Sequence, residues 1–546
     1  MDKANTLKEL LTISERKYSK NTAFYLKDKG GAIYEVTYEK FRSDCESLGT
    51  ALICELQAKG RNVAIFMANS YEWCVSYLAV AGGVGTVVPL DKELPCQELY
   101  NIAQFAEIDT VITDSYGYKV LSQDEEKKKS LKIITVGEEK YEDTHSFCQL
   151  LTKGEELLSS GRRAYLDAVT CPEEVAALLF TSGTTGMTKG VILTNSNLCS
   201  DIEAVKQSVS LREDDVSFSV LPLHHTYEAI AFLMIISSGA AISFCESFRR
   251  LRENFSEYRP TIFVTVPLLL ENLHKRITMR MEEEGKGNAA RLITKVSTVL
   301  PAESRKKIFS EIHGFFGGRL RLIICGAAAL QKQTAKDFAS YGIPVIIGYG
   351  LTECSPIVIC NNDTSPTADT VGKPLAGVQV KIVNPDENGI GEIAVKGPMV
   401  MKGYYKNQAQ TDKVIIDGWF YTGDLGFADK NGNYHITGRS KNVIVTANGK
   451  NIYPEELEYY LSKENVIGEC VVCSESDDII CVEILPSIED VKKKLRKENP
   501  TDEEIHSAVK EAVRAVNKNL PGYKRMRKVT IRKEAFEITT THKIKR

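Results

Sequence analysis

Apolar and polar positions follow two periods along the first part of the chain. Leu7 to Tyr18 repeats its leucines at helical spacing, which predicts an amphipathic helix. Phe24 to Tyr38 alternates on either side of Gly30-Gly31 and reads as a hairpin. Short, mostly apolar runs then recur at Asn62 to Phe66, Thr86 to Leu90, Thr110 to Thr113 and Leu131 to Val136, with a helical pattern from Ser70 to Gly82. Strands buried on both faces and separated by helices predict a parallel, doubly wound α/β sheet. The charges of Gln123 to Lys129 read as a solvated loop or helix face.

A second α/β unit follows, with strand runs at Val216 to Leu221, Thr261 to Val266, Leu320 to Cys325 and Val345 to Ile347. Met279 to Asn288 is charged, contains glycine and lacks a clear period, and predicts a flexible excursion. From Val371 to Lys396 short strands and turns alternate, including Asn384 to Gly389, and predict a small β-barrel or hairpins. Beyond Gly438 the runs Tyr453 to Ser462, Val466 to Ser474, Ile479 to Leu485, Glu503 to Asn519 and Val529 to Ile531 predict helices on a small sheet. The expected fold is therefore α/β. A large N-terminal domain over residues 1–438 comprises two doubly wound subdomains and a small β-barrel, and a small α+β C-terminal domain spans 439–546.

Between two of the apolar runs, Val175 to Phe180 and Val191 to Thr194, lies a segment of glycine, hydroxyl and lysine: Thr181, Ser182, Gly183, Thr184, Thr185, Gly186, Met187, Thr188, Lys189 and Gly190. Glycines let backbone N–H groups close on an anion. The hydroxyls add donors and Lys189 a positive charge, a composition suited to phosphates. The spacing is not that of a Walker A loop, because Gly186 and Lys189 are not adjacent, and no helix follows directly. A hairpin turn alone would need neither the four hydroxyls nor the lysine.

Composition narrows the function. A length of 546 residues requires more than one core, and a net charge of −3 gives no reason to invoke nucleic acid. Met1 to Glu15 carries no secretory pattern. The longest apolar run, Ala229 to Cys245, is broken by Ser237-Ser238-Gly239 and reads as a buried helix and strand. Fourteen scattered cysteines point to a reducing cytoplasm. Cys470 and Cys473 sit three apart on a strand, facing opposite sides, and read as packing rather than a metal site.

Four further clusters carry chemistry. Leu221-Pro-Leu-His-His-Thr-Tyr-Glu228 closes one strand, Ile324 to Leu330 ends another with small residues, and Gly348-Tyr-Gly-Leu-Thr-Glu353 follows a third. Open α/β sheets bind ligands at such carboxyl ends. Tyr421-Thr-Gly-Asp424 and Gly438-Arg-Ser-Lys441 place an acid and an arginine before the small domain.

Together with the phosphate-type loop, these clusters resemble the adenylate-forming superfamily of acyl-CoA synthetases, luciferases and peptide-synthetase adenylation domains. The resemblance covers nearly the whole chain. The L-P-L-x-H-x-x-E form and Asn448 to Glu456 are most similar to the medium- and long-chain fatty acyl-CoA synthetase branch. It implies ATP, Mg²⁺ and coenzyme A as cofactors or co-substrates, and two half-reactions: a carboxylate attacks the α-phosphate of ATP, then a thiol displaces AMP. By motif match, Thr181 to Gly186 and Lys189 would cradle the β- and γ-phosphates. Gly326, Ala327, Ala328 and Tyr349 would enclose adenine, and Gly348, Gly350 and Leu351 would also bind the nucleotide. Thr352 would contact the α-phosphate and Glu353 would hold Mg²⁺. Asp424 would bind the ribose hydroxyls with Arg439 assisting. His225 would lie near the acyl carboxylate and thiol path, Lys441 would be the hinge, and Gly449 would line the nucleotide site. Lys543, in Thr539 to Arg546, would be the adenylation lysine. Thr188 and His542 depart from the family pattern, standing where proline and glycine are usual.

The resemblance implies no amino-acid substrate: peptide-synthetase relatives place an aspartate for the α-amine in the stretch matching Pro222 to Glu228, where this sequence has Leu223 and no acid before Glu228. Val266 to Glu271 and Ala327 to Ala329 suit an acyl chain or ordinary core. The basic run Lys524, Arg525, Arg527 and Lys528 is open to coenzyme A phosphates, to an acidic carrier protein or to solvent alone. Fatty acyl-CoA ligase is the first reading. A loader of acyl carrier protein is the second and a non-catalytic nucleotide-binding protein the third. A lipophilic substrate would allow loose membrane association, although no segment demands it.

Overall fold

The computed structural model describes residues 3–181, 189–283, 300–363, 366–445, 451–476, 479–537 and 544. The fold is α/β, with a large N-terminal and a small C-terminal domain. The chain divides into two compact units, Met1–Gln379 with Val395–Phe420, and Val380–Ala394 with Tyr421–Arg546.

The larger unit contains two sheets. In one, strands run in the order Gly403–Tyr404, Lys189–Thr194, Val175–Thr181, Thr86–Pro89, Asn62–Phe66, Ile108–Thr113, Lys132–Thr135 and His145–Ser146. From Thr86–Pro89 outward to His145–Ser146 the pairing is parallel. The second sheet runs Lys373–Pro374, Ile357–Cys360, Val345–Gly350, Leu322–Cys325, Ile262–Thr265, Val216–Ser219, Ala241–Phe244, Thr22–Lys27 and Ile33–Thr37. Its centre is parallel, and those strands are largely buried on both faces. Phe218, Phe255, Phe263, Phe316 and Phe338 are fully buried against it, each stabilising the unit by about 2–3 kcal/mol. In the smaller unit Ile467–Ser476, Ile479–Pro486 and Met526–Ile531 form a three-stranded sheet. Helices Pro454–Leu461 and Asp502–Lys518 bury Leu457, Val509 and Val513 in its core.

Local signals set the ends of these elements. Thr6 caps helix Leu7–Tyr18 by accepting from Glu9 N–H. The helix Asn195–Val205 starts on a reciprocal capping box between Thr194 and Asn197. Two expectations are corrected. Met279 to Glu283 are not part of an irregular excursion but the last turns of helix Pro267–Glu283, because Met, Arg and Glu are good helix formers and Ile277 still anchors the inner face; 284–299 lie outside the described residues. Gly348 to Gly350 do not follow a strand but belong to it, since strand Val345–Gly350 runs on to pair antiparallel with Ile357–Cys360.

That pairing depends on a glycine. A Cβ at Gly350 would lie 1.7 Å from the Pro356 carbonyl oxygen and 3.0 Å from Ile357 Cα. Gly350→Ala must force the two strands apart at the turn 351–356. The expected cost is about 3 kcal/mol, measured as a lowered denaturation midpoint. Among the described residues no helix is long and apolar enough to cross a membrane.

Candidate functional site

The hairpin Val175–Thr181 and Lys189–Thr194 pairs Thr181 with Lys189 across its open end. Ser182, Gly183, Thr184, Thr185, Gly186 and Thr188, which the sequence assigned to phosphate, lie outside the described residues. So do Gly449, His542 and Lys543.

Lys189 is nevertheless held in a defined place. Strand Gly403–Tyr404 adds to the hairpin edge, with Tyr404 opposite Val191, and Tyr405 N–H donates to the Gly190 carbonyl at 2.7 Å. The Lys189 ammonium lies 5.1 Å from the centre of the Tyr404 ring, within range of a cation–π attraction. The Tyr404 hydroxyl in turn donates to Glu353 Oε1 at 2.9 Å. One phenol therefore faces both a cation and the carboxylate that the sequence marked for metal. Burial, then the neighbouring Glu353 charge, pushes the Tyr404 phenol far up, so it stays a proton donor at physiological pH.

A polar frame holds this group. Asn197 donates through Nδ2 to the Pro398 carbonyl at 2.7 Å and to the Val400 carbonyl at 2.9 Å. Ser355 Oγ donates to the Met399 carbonyl at 2.8 Å, and Met401 N–H to the Glu353 carbonyl at 2.8 Å. The segment bearing Tyr404 is thus fastened to the turn bearing Thr352 and Glu353. Thr226 Oγ donates to Thr352 Oγ at 3.1 Å, which brings the histidine turn to the same place. His225 is the residue that precedes helix Thr226–Ser237, and its ring centre is 4.2 Å from that of His224. His224 is buried, and burial with the nearby Lys92 charge holds its imidazole down at about 3. It is neutral at physiological pH.

The small-residue turn lies alongside. Strand Leu322–Cys325 ends at Gly326, Ala327 and Ala328, and Ala327 takes a left-handed φ of 71°, uncommon for a residue with a side chain. Tyr227 closes its underside: its hydroxyl donates to the Ile324 carbonyl at 3.2 Å and the Thr265 carbonyl at 3.4 Å. A Cβ at Gly326 would come within 3.2 Å of the Tyr227 ring, so a side chain there requires the ring to give by a few tenths of an ångström. Tyr349 is buried in its strand, with Leu351, Thr352 and Glu353 partly exposed after it.

The larger unit therefore gathers Lys189, Thr352, Glu353, the His225 turn and the glycine–alanine turn. Sequence reading missed Tyr404, Asn197 and Tyr227 as members of the group. Tyr227 sits in the cited L-P-L-H-H-T-Y-E run, whereas Tyr404 carries no motif and is identified only by strand pairing. Of the stretch Val266 to Glu271, Leu270 is fully buried and Leu268 exposed.

In the smaller unit Asp424 and Arg439 face each other on paired strands Trp419–Ala428 and Tyr434–Arg439. Arg439 Nε lies 3.1 Å from Asp424 Oδ1, and Asp424 is buried while Arg439 is half exposed. Lys441 follows in an exposed 3₁₀ turn, Ser440–Asn442. The basic run is partly neutralised within its own unit: Lys524 pairs with Glu456 at 2.6 Å, Lys528 with Glu475 at 2.5 Å, and Arg525 donates to the Leu520 carbonyl.

Residues 12–405 match the AMP-binding enzyme family, and residues 441–546 match the AMP-binding enzyme C-terminal domain. The chain is 31% identical over 478 residues to long-chain-fatty-acid–CoA ligase 5 of Mus musculus, covering 81% of this chain and 69% of that one. It is 26% identical to a chloroplastic long-chain-fatty-acid–[acyl-carrier-protein] ligase of Arabidopsis thaliana, covering 84% and 73%. Its fold matches ATP-bound MatB from Rhodopseudomonas palustris with a TM-score of 0.75 at 23% identity, covering 98% of this chain and 97% of that one.

Proposed function

The chain belongs to the AMP-binding enzyme family, and from that premise we propose that it activates a fatty carboxylic acid with ATP and transfers it to coenzyme A. The products are acyl-CoA, AMP and pyrophosphate. The observation that carries the reading is the Lys189–Tyr404–Glu353 group, with the His225 turn tied to it through Thr226 and Thr352.

The chemistry asks for this arrangement. Like unit charges ~4 Å apart repel by about 4 kcal/mol at an effective dielectric near 20. A carboxylate therefore cannot approach a triphosphate unless cations offset the charge. Lys189 supplies one from the chain, and Lys543 is assigned as the second. Thr352 offers a hydroxyl donor to the α-phosphate, and the Gly326 turn leaves the backbone open to a flat base. Asp424 accepts from the ribose hydroxyls, while Arg439 holds its carboxylate in place.

Mg²⁺ fits the donor set as a partner of ATP rather than as a resident ion. Among the described residues no group of three or more His, Cys, Asp or Glu side chains could hold a metal. Glu353 offers one hard oxygen ligand, and Mg²⁺ is commonly held by one or two carboxylates with substrate phosphates. When bound it neutralises phosphate charge. Tyr404 orients the Glu353 carboxylate for that contact.

Fourteen cysteines scattered along the chain support a reducing, cytoplasmic setting. We place the domain division at 438/439, with Lys441 as the hinge between half-reactions.

The test is pyrophosphate and AMP release with carboxylates from short to long chain, each with and without coenzyme A. Turnover that requires coenzyme A and peaks at one chain length supports the ligase. Pyrophosphate release indifferent to coenzyme A would move the assignment to a carrier-protein loader, the activity that the Arabidopsis relative's name gives. Silence with every acid would favour a nucleotide-binding protein without catalysis.

A further inference from the structure

Helix Thr226–Ser237 buries an acid that the reaction described above does not use. Glu228 is only 3% exposed, and its Oε2 has no hydrogen-bond partner. It lines a cavity of about 10 Å³ between this helix, helix Tyr71–Ala79 and strands Val216–Ser219 and Ala241–Phe244. Such a volume takes at most one water. A carboxyl group in so dry a place must be partnered, or neutral.

A neighbouring hydroxyl leads to the site. Glu228 and Ser219 line the same cavity, where the Ser219 hydroxyl favours the ionised carboxyl against burial, and Ser219 Oγ lies 3.4 Å from Asn69 Nδ2. Asn69 grips both sides of Pro222: its Nδ2 donates to the Leu221 carbonyl at 2.7 Å, and its Oδ1 accepts from Leu223 N–H at 2.9 Å. The Pro222 carbonyl in turn accepts from His225 N–H at 3.1 Å. A path of cavity contact, hydrogen bonds and the Leu221–Leu223 backbone thus runs from the buried carboxyl to the histidine turn.

We propose that Glu228 is a positioning residue for His225, acting through Ser219 and Asn69, and that the turn is set only while the Glu228 carboxyl keeps its proton. The inference rests on the reading of His225 as lining the path of the acyl carboxylate. The groups that face Glu228 are Cys74 from helix Tyr71–Ala79, Tyr227 from its own helix, and the hydroxyls of Ser217 and Ser219. Burial pushes the Cys74 thiol and the Tyr227 phenol well up, so neither brings charge at neutral pH. Burial likewise pushes the Glu228 carboxyl up to about 8, with the Ser219 hydroxyl opposing it. Once ionised, the carboxylate competes for the donors that hold the turn, and Oε2 draws solvent inward.

The experiment follows ATP–pyrophosphate exchange from pH 6 to 9.5, a half-reaction with no thiol to titrate, alongside thermal melting of the same proteins. Native exchange should fall above pH 8, approaching tenfold per pH unit. Glu228→Gln, roughly threefold slower at pH 7 because its NH₂ lacks a partner, should lose that alkaline fall. Asn69→Ala should lower kcat roughly tenfold with the KM for ATP little changed.

Melting reads the same proton without any activity. The folded-state value lies above the unfolded 4.5, so the carboxyl's stabilisation is complete below 4.5 and is lost as pH rises through about 8. The native protein should therefore lose stability relative to Glu228→Gln across that window. An active native enzyme whose alkaline fall persists in Glu228→Gln, or whose melting difference is flat with pH, overturns the proposal. A silent native enzyme with a pH-dependent difference overturns the ligase reading instead and supports the buried proton.

Discussion

Lys543→Ala is expected to slow acyl-adenylate formation by roughly 10²–10³-fold, the cost of losing one donor aimed at developing charge. The attacking carboxylate and the α-phosphate are both anions, and a cation bridging them acts most strongly as they converge. Displacement of AMP by a thiol begins from a mixed anhydride whose carboxylate charge is already gone. Thioester formation from supplied acyl-adenylate should therefore proceed near the native rate. The two half-reactions need separate assays: single-turnover pyrophosphate release for the first, and acyl-CoA appearance from synthetic acyl-adenylate for the second. Equal loss in both would refute an alternation of half-reactions about Lys441.

Glu353→Gln carries the second large effect. The amide keeps the volume and an oxygen to accept from Tyr404, which donates at 2.9 Å, so the frame around residues 398–404 stays in place. What disappears is the negative charge. Removing an attraction of about 4 kcal/mol from the metal–triphosphate complex corresponds to roughly 10³-fold in adenylation. The apparent Mg²⁺ requirement should rise in parallel, and the thiol step from supplied adenylate should be little affected. Exchange rates titrated with Mg²⁺ decide it. An unchanged Mg²⁺ dependence would remove Glu353 as a ligand and leave it a structural partner of Tyr404.

Much of the architecture was legible because burial leaves a local imprint. The leucines of Leu7–Tyr18 repeat at the helical period because one face is packed, and Thr6 marks the start. Val175 to Phe180 and Val191 to Thr194 read as strands because both lie inside a sheet, whose strands extend to Thr181 and begin at Lys189. Even the three clusters at strand ends could be placed, since residues after a parallel strand share one edge. Periodicity failed where composition was ambiguous. Met279 to Glu283 are polar enough for a loop yet continue a helix, and two glycines in Gly348 to Gly350 disguise the end of a strand. The charged stretch around Lys128 hid a buried ammonium, held by Glu125 and Asp143 over the Tyr118 ring.

The sequence by itself determined the α/β class, the order of the elements and the residue types able to meet a triphosphate. Each of those is written within short windows, as a period, a cap or a motif. Tertiary structure alone decided that Tyr404 stands between Lys189 and Glu353, that Asn197 ties the segment carrying it to helix Asn195–Val205, and that Ser219 and Asn69 lie between Glu228 and the histidine turn. These partners are far apart along the chain. They meet because sheet pairing and core burial outweigh the entropy of closing the loops between them, and no local pattern records which distant strand will be the neighbour.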